Sequence, residues 1–328
     1  MLWIALFAFL AAPAEQKRLG AIDFFGYAGM DVESVRRALP FDEGDAAPED
    51  VSVWQQPARD AVLRVTGRPA TDVATACCDG KGRWVVYIGL PGSSSIVPEY
   101  RAAPTGSARL PRELTLLEKE YSAALFAAAM KSAREEDSTG YSLAKDPALR
   151  TKQLELRQLA LRHEKRVYKV LATSSDAEQR AFAAIALGYA NQTDAQIGAL
   201  VRAASDPEGI VRNNAARALM VLAGGRPKLR GQIPPGVFID LVRSGTWTDR
   251  NKGGAVLLSL TERGNPRLLA ELRSRALEAL VEMARWKSSG HADPARVLLG
   301  RIAGIEEQRL RELVATGRVD AILEALEK

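Results

Sequence analysis

Histidine and cysteine are scarce in this chain of 328 residues, with two of each. Neither His163 nor His291 has a second His or Cys at ligand spacing, so no structural zinc site is expected. His163 precedes Glu164 on a basic helical stretch, and His291 follows Ser288-Ser289-Gly290 and reads as a turn residue. The cysteines, Cys77 and Cys78, are adjacent, and the Cys-x-x-Cys spacing of redox enzymes is missing. A trans peptide holds neighbouring Cα atoms about 3.8 Å apart, below the usual disulfide span. Strand alternation would turn the two sulfurs to opposite faces. Two thiols, one buried and one exposed, are the expectation, with a vicinal disulfide or intermolecular pairing as alternatives. Gly-x-Ser-x-Gly, P-loop and dinucleotide motifs are also missing. No catalytic constellation stands out, and neither an enzyme nor a cofactor is expected.

Long apolar runs are confined to the first residues. Residues 2–12 are almost wholly apolar and Ala12-Pro13-Ala14 supplies small residues for cleavage, so 1–14 reads as a secretory signal. The run lacks a preceding Lys or Arg, which leaves an uncleaved anchor as the alternative. No later segment approaches the roughly 20 apolar residues of a membrane span, so none is expected in the mature chain. The expected location is secreted or periplasmic. The net charge of +5 is uneven. Residues 15–100 carry about 9 basic against 13 acidic side chains, while the remainder is basic by about 9. The basic residues are dispersed among acids, which argues against a nucleic-acid partner.

The stretch from Ala21 to Tyr27 reads as an aromatic-rich strand ended by the turn at Gly29. Asp31 caps a short helix that Pro40 stops, and Pro48 opens a second helix running to Gly67, with Pro57 bending or breaking it. Two strands, Val73 to Cys78 and Arg83 to Leu90, flank the hairpin signal Asp79-Gly80-Lys81-Gly82. The order is β-α-α-β-β. With Phe25-Gly26-Tyr27 after the first strand and Gly44-Asp45 between the helices, residues 20–92 resemble a POTRA domain. The resemblance implies an envelope docking module that binds partners, including strands added at a sheet edge. POTRA domains normally precede an outer-membrane barrel, and this chain has no series of alternating segments to make one.

Residues 93–111 have the composition of a linker, and 112–163 read as connecting and capping helices, the second being one long helix from Asp146-Pro147 to about Leu171. Beyond them one template recurs: an Arg with small or apolar residues three, six, seven and ten positions later. Its copies are Arg180-Ala183-Ala186-Leu187-Ala190, Arg212-Ala215-Ala218-Leu219-Leu222 and Arg250-Gly253-Val256-Leu257-Leu260. That spacing marks one helix face, and its recurrence predicts stacked helical repeats over 164–328. A fourth unit opening at Asp293-Pro294 departs from the template and leads into a C-terminal cap. With Asp-Pro and Val-Arg-x-x-Ala-x-x-Ala-Leu at Asp206 to Leu219, the array resembles HEAT repeats. The fold class expected is an α+β N-terminal domain followed by an all-α HEAT-like solenoid.

Arg180, Arg212 and Arg250 could line a groove for an anionic ligand. The HEAT resemblance implies instead a ladder in which each pairs with an acid of a neighbouring repeat, Asp206 or Asp249. The function expected is a non-catalytic interaction scaffold or adaptor of the bacterial envelope. Its protein partner would meet the inner surface of the repeats and the POTRA-like head. The alternative is an enzyme accessory or lyase-like module acting on a cofactor-bearing partner, for which an apolar cavity would speak.

Overall fold

The computed structural model describes residues 17–131, 133–262 and 264–327. The expected signal, 1–14, lies outside the described residues. The head is a three-stranded sheet in the order β1 (Leu19–Phe25), β3 (Trp84–Gly89), β2 (Asp72–Cys77). β1 runs parallel to β3, and β2 antiparallel to it. Alternation splits the apolar residues between two faces. Ile22, Phe24, Val86 and Ile88 meet Val35 of α1 (Val32–Arg37) and Trp54, Ala58 and Val62, the last two on α2 (Gln55–Thr66). Ala21, Phe25, Val85 and Tyr87 belong instead to the core of the helical body. The sheet is therefore covered on both sides.

Asp31 caps α1 as expected, accepting from Ser34 N. The second helix differs from expectation. Asp50 caps a single 3-10 turn, Val51–Trp54, and α2 begins only at Gln55. Pro57 thus falls in the first turn of α2, where its missing N–H has no intrahelical acceptor to lose. The two cysteines also differ from expectation: the Cys77–Cys78 peptide is cis and the sulfurs are joined as a vicinal disulfide.

The body is mostly helical. It begins with α3 (Arg112–Met130), the short strands β4 (Glu135–Glu136) and β5 (Leu143–Ala144), α4 (Pro147–Arg162) and α5 (Glu164–Thr173). The expected long helix is two, because the chain turns at His163, whose Nε2 lies 2.7 Å from Glu113 Oε2. The template residues open α6 (Ala177–Gly188), α8 (Gly209–Gly225) and α10 (Trp247–Leu260), which pack in succession. Ala183 and Ala215 are fully buried at these contacts, and at Gly253 of α10 a Cβ would stand 2.9 Å from Phe238 O. Their companions are α7 (Asp194–Ala203), α9 (Gly236–Val242), α11 (Pro266–Arg275) and α12 (Leu277–Ala284), the last pair separated at Ala276. The fourth unit, α13 (Ser289–Ile302), starts ahead of Asp293-Pro294, and α14 (Glu307–Ala315) and α15 (Val319–Leu326) close the chain. No helix among the described residues is long and apolar enough to cross a membrane.

Residues 93–111 form a strap zipped to the body by its main chain. Ile96 N donates to Arg243 O, Arg101 N to Ser205 O and Gly106 N to Thr173 O, at 2.9, 2.7 and 2.8 Å. Each accepting carbonyl lies seven residues before a template arginine, and the contacts recur every five residues of strap. At Gly106 the approach is so close that a Cβ would stand 2.5 Å from Thr173 O. Gly106→Ala is therefore expected to lower stability by roughly 1–3 kcal/mol, as overpacking does. Amide hydrogen exchange should accelerate at Gly106 and Ser175 while the α8–α10 core stays protected; unchanged protection of both amides would contradict the zipped strap.

Candidate functional site: the arginine ladder and the adjoining clefts

The three template arginines are buried and fully engaged. Arg180 Nε and Nη2 reach both oxygens of Asp206 at 2.9 and 2.8 Å, and Arg212 makes the same fork on Asp249 at 2.9 and 2.8 Å. Each also donates back to the turn before its own helix, Arg180 to Ser174 O and Arg212 to Asp206 O. Such bidentate, charge-assisted pairs satisfy the planar guanidinium. Burial alone would raise the pKa of Asp206, but hydrogen bonds from Arg180 and Arg101 outweigh it and hold the carboxyl below its usual range. The five residues singled out from the sequence thus meet as two internal pairs plus Arg250, and of them Arg212 also lines a cleft of about 530 Å3.

Arg250 takes a partner that sequence reading missed. Its Nη1 lies 2.8 Å from Glu282 Oε2 on α12. Glu282 also accepts from Gly26 N, Tyr27 N and Ala28 N of the head at 2.7, 2.9 and 3.1 Å, and from Ser94 Oγ of the strap. A signal existed: Asp206 and Asp249 follow their arginines by 26 and 37 positions, and Glu282 follows Arg250 by 32. The strap completes the ladder, with Arg101 on Asp206 at 2.5 Å and Tyr100 under the Arg212 guanidinium at 4.1 Å.

The joint between head and body uses further carboxylates as acceptors for main-chain N–H groups. Asp23 accepts from Lys287 N at 3.0 Å and Asp72 from Trp247 N at 2.9 Å, while Trp286 Nε1 donates to Phe24 O. Burial pushes the Asp23 carboxyl up to about 6, against the pull of Lys287.

A cleft of about 530 Å3 adjoins the ladder, lined by Pro91, Ile96, Val97, Tyr100, Arg212 and Thr246, and two further cavities lie elsewhere on the body. One, of about 660 Å3, is lined by Asp137, Arg230, Glu262, Arg301, Glu307 and Arg311. The other is a small void of about 30 Å3 beside Tyr121, Tyr189, Asn214 and Arg217, room for about one or two waters. The Tyr189 hydroxyl has no hydrogen-bond partner among the described residues. Arg217 pairs with Glu135 of β4; burial opposes its charge, but Glu135 outweighs burial and raises the pKa. His291, expected in a loop, lies in the first turn of α13 with Nδ1 2.6 Å from the Tyr87 hydroxyl. Among the described residues no group of three or more His, Cys, Asp or Glu is placed to hold a metal ion. No family model matches the chain, and no curated protein matches it.

Arg212→Ala leaves Asp249 buried without its fork and is expected to lower stability by about 3–5 kcal/mol in denaturant unfolding. A melting curve unchanged by that substitution would remove the ladder. Asp23 gives a pH test. Because its folded pKa is raised from 3.8 to about 6, the folded state holds the extra proton between those values. Its contribution to stability therefore falls as pH rises from about 4 to 7. The isosteric Asp23→Asn escapes this, so the stability of the variant relative to the wild type should rise by roughly 2–3 kcal/mol over that range. A pH-independent difference would contradict the raised pKa.

Proposed function

We propose that the chain is a non-catalytic protein-binding scaffold or adaptor of the bacterial cell envelope, built as a POTRA-like head locked to HEAT-like repeats. The observation that carries this reading is the cleft of about 660 Å3 between α8, α10, α13 and α14, whose lining alternates acids and bases. Mixed charge at an open surface fits steering and register between proteins better than capture of an apolar group. Since the ladder arginines are consumed internally, recognition falls to side chains such as Arg311, which is exposed and has no ion-pair partner among the described residues. The alternative of a module acting on a cofactor-bearing partner calls for an enclosed apolar cavity; the void beside Tyr189 holds only about one or two waters, and the cleft of about 530 Å3 beside Arg212 is open with a mixed lining. Export through residues 1–14 remains part of the proposal and rests on the sequence alone.

A photo-crosslinking residue at position 311, in the full-length chain in its native envelope, tests this reading. A discrete protein adduct is expected there and not from a control at Glu49, which is exposed on the head. Arg311→Glu should weaken capture by the isolated partner about fivefold, the scale of one rim charge, with the melting temperature unchanged. Adducts at neither position, or equally at both, would refute it.

A further inference from the structure

The cleft of about 530 Å3 beside Arg212 stands where head, strap and body meet, apart from the cleft at Arg311. The head supplies Arg68 and Thr71 from the loop between α2 and β2. The strap supplies Ile96, Val97, Pro98 and Tyr100, and the body supplies Thr246 ahead of α10. Its size falls within the range of small-molecule sites, which favour such junctions. The junction itself is tight. Gly245 has no side chain, and a Cβ there would stand 2.9 Å from Thr71 Cβ, so the loop carrying Arg68 is seated against the turn before α10.

One wall of the cleft is apolar. Val97 is 88% exposed, and its neighbour Ile96 is pinned to the body, donating to Arg243 O at 2.9 Å and accepting from Gly245 N at 3.1 Å. A single exposed valine means little. Here it is held in place beside Ile96, Pro98 and the Tyr100 ring, and together they form an apolar surface along one cleft.

The other wall is polar, and no acid lines the cleft. Arg68 is exposed, and its guanidinium has no ion pair or hydrogen bond among the described residues. Thr246 is the N-cap residue of α10, yet its side chain makes no capping bond. Arg212 adds no net charge, because Asp249 neutralises it and its remaining bonds go to the Asp206 and Pro207 carbonyls. The neighbouring carboxylates are accounted for. Asp206 is forked by Arg180, Asp72 accepts from Trp247 N, and Glu99 and Glu208 are exposed and outside the lining. A lone guanidinium beside hydroxyls and an apolar wall complements a monoanion with an apolar body, whereas phosphate would leave part of its charge unmatched.

We propose that this cleft binds an apolar monocarboxylate, as a free acid or as the C-terminal residue of a peptide. The carboxylate lies across the Arg68 fork and accepts from the Thr71 and Thr246 hydroxyls, while its apolar body covers Val97, Ile96 and the Tyr100 ring. The site is separate from the cleft at Arg311, and neither reading depends on the other.

The test titrates the full chain, carrying carbon-13 methyl labels on valine and isoleucine, with hydrocinnamate, with N-acetylglycylphenylalanine and with the neutral amide of each. The methyl signals of Val97 and Ile96 should move, and those of Val297, which lines the cleft at Arg311, should stay. A binding acid should hold about tenfold or more tighter than its amide, the scale of a charge-assisted bond. A response to the free acid alone, the peptide alone or both identifies the source. Arg68→Gln should weaken binding about tenfold, and Val97→Ser about threefold to tenfold. Both side chains are exposed, so both variants should melt with the wild type, and Arg311→Glu should bind as the wild type does. Still Val97 methyls at about 10 mM of either acid, acids and amides binding alike, or unchanged binding in Arg68→Gln would overturn the site.

Discussion

One carboxylate ties the molecule together. Glu282 is buried among partners from three parts of the chain: a guanidinium of the body, three consecutive N–H groups of the head and a hydroxyl of the strap. An isolated carboxylate in that setting would cost several kcal/mol, so its presence is tolerable only while all three parts stay assembled. The head is consequently no pendant domain. Its sheet contributes Phe25, Val85 and Tyr87 to the same core as the helices, and Trp286 donates to the Phe24 carbonyl of β1.

Much of this was legible in residues with strong local rules. The strand and helix order of the head follows from alternation, Asp31 and the Asp79–Gly82 turn. The body follows from a template that places Arg, Ala and Leu on one helix face. What was not legible depends on main chain or on distance. Residues 93–111 look like a linker because the strap is held by N–H and C=O groups that every residue owns. Glu282 was missed because its arginine and its head contacts are far apart in sequence. Pro57 misled because its effect depends on where the helix starts, and a 3-10 turn moved that start to Gln55. His163 ends a helix through turn geometry that helical periodicity does not record.

The buried charges sort into two kinds. Arg180 and Arg212 are matched by forked carboxylates, Arg250 by one bond to Glu282, and all three by carbonyls of their own turns, which makes them structural. Lys252 forms no ion pair among the described residues, and the Trp247 Nε1–H has no hydrogen-bond partner among them. The candidate site drawn from the sequence thus proved internal. The residues left with unused capacity, a Lys and a Trp, are of types that carry little signal in a sequence.

The strap has a further consequence. Its contacts advance by five residues for each template helix it passes, from Ile96 to Arg101 to Gly106. It therefore works as a ruler laid against the body, with both ends fixed: one at Glu282 through Ser94, the other at Ser174 through Gly106. A repeat array without such a gauge can grow or shrink by duplicating a helix pair. Here a duplicated pair would leave its turn uncovered unless about five residues were added to a segment roughly 70–150 positions away, so the number of repeats is set by two regions that must change together.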